Sequence, residues 1–216
     1  MTPRVQLALD ASAGPASVAL FVDGRLVEAR RIDRKGSAEL LAPTVAEMLA
    51  AHGTHARELT DIIVGAGPGS FTGLRVAAAL GKGLARGAGA ALHAVPSLPL
   101  IAAADAARPP ARYLSVLDAL RGEWFVQQST RHPDGRWTVD GGVERLAIAV
   151  IRERAASCIA VIVGPPMHDA QQPDARVALQ VGTHVVPLDT WEPDYGRLAE
   201  AQVLWETAHE RALPAS

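Results

Sequence analysis

The chain has 216 residues, with 21 Lys and Arg against 23 Asp and Glu and a formal net charge of -2. That length supports one large domain or two small lobes with real cores. The near balance of charge argues against a chain that grips nucleic acid alone through many phosphate contacts, though a local basic patch is compatible with it. One cysteine, Cys158, excludes a disulfide framework or a Cys-based zinc site, fits a reducing compartment, and reads as a small core residue.

The start, Met1 to Val5, runs straight into a strand pattern without the features of a secretory leader. Val5 to Leu9 is an apolar run ending at Asp10. Ser17 to Val22 is a second run, followed by the hairpin signal Asp23-Gly24, and Leu26 to Ile32 is a third. The chain therefore opens as an antiparallel meander. Leu41, Val45, Met48 and Leu49 then form one apolar stripe at helical spacing, with Ser37 as a plausible N-cap, Gly53 as the stop and Pro43 as a kink or a later start.

Leu59 to Val64 reads as a short strand, and a glycine-rich segment leads from it into a helix over Ser70 to Arg86. Gly73, Ala77, Gly81 and Ala85 give that helix one smooth face; Ala79, Gly83 and Gly87 give it another. Each interior glycine costs about 1 kcal/mol relative to alanine, so close packing must compensate. The expectation is a sheet on one side and another helix on the other. The Ala-rich stretch from Val76 to Ala107 is broken by Lys82, Arg86, His93 and Asp105, which excludes a membrane span. A cytoplasmic location is expected.

Four prolines from Pro96 to Pro110 mark a lobe boundary near residue 105. Tyr113 to Leu117 and Trp124 to Ser129 read as paired strands, and Leu117-Asp118-Ala119 echoes Leu9-Asp10-Ala11. That echo suggests an internal duplication. Ile159 to Val163 reads as a buried strand, Asp169 to Asp174 as a polar loop, Gly182 to Leu188 as a further strand, and Ala199 to Arg211 as a C-terminal helix with Trp205 on its apolar side.

The glycine segment invites a phosphate-binding reading, because a helix N-terminus after a glycine loop offers N–H groups and a positive dipole end. The standard templates fail. A dinucleotide fingerprint from Gly65 ends on Ser70 and from Gly67 on Thr72; the one Gly-Lys pair, Gly81-Lys82, lies inside the helix; Ser70 lacks the flanking glycines of a nucleophile elbow. The alternative is a tight strand-to-helix crossover. The histidines are scattered, with no pair to present two metal ligands on one helical face, and read as surface residues. Asp10 and Asp118 at strand ends are either turn formers or carboxylates near a nucleotide.

Leu7 to Ser12, Ser37 to Pro43, Gly67-Pro68-Gly69-Ser70-Phe71-Thr72-Gly73-Leu74-Arg75, and Val95 to Leu98 closely resemble the bacterial TsaB (YeaZ) family of tRNA threonylcarbamoyladenosine biosynthesis. Asp118 to Glu123 looks like that family's second-lobe turn, and Pro193 to Arg197 with Ala199 to Ala201 like its C-terminal segment. The resemblance is dense from Val5 to Leu100 and thin afterwards. It implies an α/β fold of the actin, sugar kinase and Hsp70 type: two lobes, residues 1–105 and a smaller 106–216, with duplicated mixed sheets flanked by helices and the last helix packing back on the first lobe.

The resemblance further implies a scaffold or activator beside a TsaD-type catalytic paralogue and a TsaE-type ATPase, a homodimer when alone, and contact with tRNA only through the complex. Its partner surface would be the first two helices, with Leu41, Val45, Met48, Leu49, Ala77, Leu80, Gly81 and Leu84 as contacts or, equally, as core. The catalytic paralogue's two metal-binding histidines are matched here by Ser97 and Ile101, and Pro99 is expected to spoil the helical turn between them. No catalytic residue, metal or obligatory cofactor is therefore expected. Asp10, Ser12 and Asp118 would be a vestigial nucleotide site, with ATP or ADP at a subunit interface the one cofactor left open. Ala11 and Gly36 depart from the family's usual Thr and His, which weakens nucleotide binding further. The competing readings are an ATP-dependent phosphotransferase of the same fold, a metallopeptidase-like protein and a tRNA-binding module.

Overall fold

A computed structural model describes residues 2–33, 36–165 and 171–196. The opening meander is present as β1 (Val5–Asp10), β2 (Ala16–Val22) and β3 (Arg25–Ile32). A 3-10 turn over Ser37–Leu40 leads into α1 (Leu41–Ala51). Pro43 is therefore in the first turn, where its missing N–H has no intrahelical partner to lose. Ser37 is not the cap of α1; its hydroxyl donates to the Gly14 carbonyl at 2.7 Å. Next come β4 (Asp61–Gly65), α2 (Phe71–Ala88), β5 (Ala91–Val95) and α3 (Ser97–Ala103). Ser70 caps α2 by accepting from the Gly73 N–H, and Gly89 ends it in the left-handed region at φ 67°. Pro99 does not spoil α3, for the reason that applies to Pro43 in α1.

The second half opens with β6 (Ala111–Asp118) and β7 (Glu123–Arg131). Then follow β8 (Trp137–Ala147), α4 (Ile148–Cys158), β9 (Ala160–Val163), α5 (Ala178–Val181) and the two-residue β10 (His184–Val185). Two of these elements are corrections. β9 is an edge strand with Val161 exposed, not a buried one, and Gly182 to Leu188 contributes only β10. Cys158 is half-buried at the end of α4 rather than in a core. The expected helix over Ala199 to Arg211 lies outside the described residues, as does the stretch 166–170.

The sheets run β10-β5-β4-β1-β2-β3 and β8-β7-β6-β9. In the first, β1 is antiparallel to β2 and parallel to β4; in the second, β6 is antiparallel to β7 and parallel to β9. The same meander-plus-parallel-strand unit is thus used twice, with Asp10 and Asp118 closing equivalent strands. One core packs α1 and α2 on the outer face of the first sheet around Leu7, Leu9, Ile62 and Val64. A second fills the space between the sheets with α3, Phe21, Tyr113, Phe125 and Trp137. A third seats α4 on the outer face of the second sheet. β1 and β4 are covered on both faces, which explains why they are apolar in nearly every position, Gln6 and the strand-end Asp10 and Asp61 being the polar ones. The later chain does not stay with the second sheet. The Ala175 N–H donates to Ser17 Oγ at 2.9 Å, Val186, Leu188 and Trp191 join the first core, and Glu192 pairs with Lys82 at 2.9 Å.

Candidate functional site

The glycine loop is folded around the end of β1. Asp10 is 1% exposed, and all its visible bonds are internal. One carboxylate oxygen accepts the Ser12 N–H at 2.9 Å and the Ser12 hydroxyl at 2.7 Å; the other accepts the Ser97 hydroxyl at 2.6 Å. Ser97 Oγ in turn accepts the Gly67 N–H at 3.0 Å, and the Gly67 carbonyl accepts the Ser97 N–H at 3.0 Å. Ser97 therefore ties the start of α3 and the glycine loop to β1. The sequence marked it only as a position lacking a metal ligand.

The glycines are required by this closeness. A Cβ on Gly65 would overlap the Asp10 carboxylate, one on Gly69 the Ser12 carbonyl, and one on Gly73 the Ala11 carbonyl. Gly67, at φ 90°, faces the Asp194 carbonyl and is joined to Pro68 by a cis peptide. The remaining motif residues hold segment 193–196. Phe71 packs in a tilted contact on Tyr195 at 4.7 Å between ring centroids, and the Arg75 guanidinium covers Phe71 at 4.5 Å. Leu74 is buried, and Thr72 is exposed. The segment is thus the tight crossover, with three of its N–H groups already used: Gly67 by Ser97, Ser70 by the Ser12 carbonyl and Gly73 by Ser70 Oγ.

A cleft of about 440 Å³ lies between the lobes, lined by Ser12, Gly14, Gly69 and Ser70 on one side and Asp118, Leu120 and Trp124 on the other. Asp10 does not line it. Burial pushes the Asp10 carboxyl above the usual carboxylate range, against the opposing pull of the Ser12 and Ser97 hydrogen bonds, with the charge of Asp174 raising it further. Asp118 is exposed and accepts the Leu120 N–H at 2.7 Å, the turn-forming role. Of the three residues expected at a nucleotide site, the structure brings Ser12 and Asp118 to one cleft and seals Asp10 beneath it. No Lys or Arg stands among the described lining residues.

Six of the eight expected partner contacts are interior. Leu41, Val45, Met48, Leu49 and Ala77 are 0–5% exposed, and a Cβ on Gly81 would overlap Val64 Cγ2. Leu80 and Leu84 are half-buried against the same core. This stripe is core because the first sheet needs an apolar cover on its outer face. What the two helices expose instead is small. Ala42, Ala46 and Ala50 face out from α1, and Ala79, Gly83 and Gly87 from α2. The expectation of a second helix over that α2 face is not met within the chain: a Cβ on Gly83 or Gly87 would have no atom within 4 Å.

One buried charged network escaped the sequence reading. Asp61, at the start of β4, takes a bidentate bond from Arg4 at 2.8 and 2.6 Å, one from Thr60 Oγ1 at 2.7 Å, and one from His93 Nε2 at 2.8 Å. Arg4 and these bonds hold the Asp61 carboxyl down to about 2. His93 is buried, unlike the surface role expected of the histidines. Among the described residues no three His, Cys, Asp or Glu side chains gather in a metal-binding group, and no helix is long and apolar enough to cross a membrane.

Comparison with known proteins gives a consistent neighbourhood. A family model described as TsaD, tRNA N6-adenosine threonylcarbamoyltransferase, matches residues 31–155, more than half of the chain. The tRNA threonylcarbamoyladenosine biosynthesis protein TsaB of Escherichia coli is 30% identical over 149 residues, covering 68% of this chain and 64% of the relative. The TsaB protein of Haemophilus influenzae is 34% identical over 128 residues, covering 58% and 53%. Those matches thus span less than two thirds of each relative's length. Among solved structures, YeaZ from Pseudomonas aeruginosa superposes with a TM-score of 0.73 at 23% identity, covering 89% of this chain and 99% of that one, and so shares its fold.

Proposed function

This chain belongs to the TsaB (YeaZ) family within the wider TsaD-type group, and from that premise we propose that it is a non-catalytic subunit in forming N6-threonylcarbamoyladenosine on tRNA. It docks on a TsaD-type catalytic paralogue, works beside a TsaE-type ATPase, pairs with itself when alone, and meets tRNA only through the assembly in the cytoplasm. The observation that carries this reading is the pair of exposed small-residue stripes on α1 and α2, Ala42-Ala46-Ala50 and Ala79-Gly83-Gly87. Such faces let a partner helix approach closely, and Gly83 and Gly87 otherwise cost stability for no internal contact.

The chemistry of the cleft supports the accessory role. A phosphotransferase needs a carboxylate free to orient a metal-bound phosphate and cations to meet it. Asp10 is enclosed and already takes three hydrogen bonds from Ser12 and Ser97, and the described lining offers only Asp118 as a charged side chain. Ser97 spends its hydroxyl on Asp10, and Ile101 is wholly in the core, so neither position serves a metallopeptidase. The test is reconstitution of tRNA modification from purified subunits with and without this chain. The proposal expects co-purification with the catalytic paralogue and strong dependence of modification on this chain. Full modification in its absence sinks it.

A further inference from the structure

A second cavity, of about 420 Å³, borders the start of the glycine loop at Ala66 and Gly67, whereas the cleft borders its end at Gly69 and Ser70. It lies just beyond the C-terminal ends of the parallel strands β4 and β5, where Ala66 and Pro96 line it; the C-terminal ends of parallel strands are a common ligand position in open α/β sheets. Val139 and Val143 of β8 close the far side. Two polar side chains matter here, Gln127 and Asp194, with His184 on the same lining.

Gln127 is placed by an irregularity in the second sheet. The β7–β8 register shifts between Val126↔Glu144 and Gln128↔Asp140, so Gln127 alone spans Gly141 to Val143. Such bulges re-aim a side chain and are frequent beside binding sites. Gln127 is 7% exposed, and its Nε2 donates to the Gly141 carbonyl at 3.1 Å, which fixes the amide orientation. Its Oε1 is buried and has no hydrogen-bond partner among the described residues; the same holds for Ser129 Oγ and Ser115 Oγ, on the same inner face of the sheet. A buried acceptor left empty costs about 1–3 kcal/mol, so it calls for an occupant. Asp194 is tied to the loop by its N–H on the Ala66 carbonyl at 2.8 Å. One of its carboxylate oxygens takes the Gly196 N–H at 2.7 Å, and the other has no partner among the described residues.

Two side-chain acceptors on this lining thus lack a partner among the described residues, Gln127 Oε1 and one oxygen of the Asp194 carboxylate, and they are set among apolar walls with Thr183 and His184 on the same lining. We propose that this cavity binds a primary ammonium on a short aliphatic chain. Gln127 Oε1 and the Asp194 carboxylate accept its N–H groups, and Ala66, Pro96, Val139 and Val143 cover its methylenes. A single water would satisfy Gln127 but would use neither the apolar walls nor the free carboxylate oxygen.

The test is calorimetric and NMR titration of the full chain with n-butylammonium chloride, with n-butanol as the uncharged control. The expected result is saturable binding with a Kd on the order of a millimolar, weakened at least tenfold by Gln127→Leu and by Asp194→Asn, and no saturable response to butanol. Asp194 is exposed, so Asp194→Asn keeps the test valid if Gln127→Leu disturbs the bulge, and urea midpoints of both variants check that they are folded. The proposal is overturned if no saturation occurs up to tens of millimolar, roughly the weakest binding worth calling specific. It is also overturned if folded variants bind as the wild type does, if butanol binds equally well, or if crystals grown with the ammonium show only water on Gln127 Oε1.

Discussion

Asp10 separates a structural from a chemical reading of the cleft. Three donors converge on it, and the loop behind it tolerates no extra atom. Asp10→Ala strands those donors in the interior and is expected to cost about 2–4 kcal/mol, read as a lowered urea midpoint. Asp10→Asn keeps an acceptor for Ser12 and removes a charge that burial disfavours. It should stay within about 1 kcal/mol of wild type and support tRNA modification undiminished in the reconstituted assay; a metal-orienting carboxylate would not survive that change. Asp61 behaves oppositely. Its carboxyl is held at about 2, below its ordinary 3.8, so its stabilisation is fully present above the ordinary value and is lost as pH falls through about 2. Because Arg4 is more than half exposed, the contribution is discounted to about 1–2 kcal/mol. Urea denaturation across pH should show Asp61→Asn less stable by that amount at neutral pH and the gap closing between about pH 4 and pH 2.

At the scale of the element, α2 predicts opposite signs for chemically identical changes. Gly81→Ala drives a Cβ into Val64 on the first sheet and is expected to destabilise by about 1–3 kcal/mol. Gly83→Ala and Gly87→Ala meet open space and should each stabilise the isolated chain by up to about 1 kcal/mol, measured as a raised Tm. Sequence periodicity found this helix and both small faces, but not which face turns inward, since alanine and glycine carry no polarity to decide it. The same ambiguity left the α1 stripe open between core and partner surface: four apolar residues at helical spacing look alike against a sheet or a partner. The meander, α2 and the start of the second lobe were legible because turn signals and runs of β-forming residues bound them. β8 and α4 were not, because β8 carries Asp140, Gly141, Gly142, Glu144 and Arg145 on an exposed edge, and α4 interleaves Arg152, Glu153 and Arg154 with its apolar residues. The Asp10–Ser97 bond joins residues 87 positions apart, and no local pattern announces it.

Across the whole molecule, the duplicated sheets have diverged in use. In the first half the strand-end carboxylate of Asp10 is sealed, the glycine loop is locked to α3 and segment 193–196, and the helices outside the sheet show small residues to solvent. The second lobe keeps the matching strand-end Asp118 exposed at the cleft, yet gives it only a turn to hold. The outer wall formed by α1 and α2 is smooth, with Ala42, Ala46, Ala50, Ala79, Gly83 and Gly87 exposed on it. Surface changes on that wall should then separate folding from assembly. Gly83→Leu places a bulky side chain where the isolated chain has free space, so the monomer's urea midpoint should hold or rise. The same change should weaken self-association and binding of the catalytic paralogue at least tenfold, a loss of about 1.4 kcal/mol or more, by sedimentation and calorimetry. Ala46→Leu on α1 should act likewise if both stripes form one interface. A Gly83→Leu protein that binds the paralogue as tightly as wild type would move the partner surface elsewhere, most directly to the exposed edge of β9, where Val161 and Ile159 face solvent.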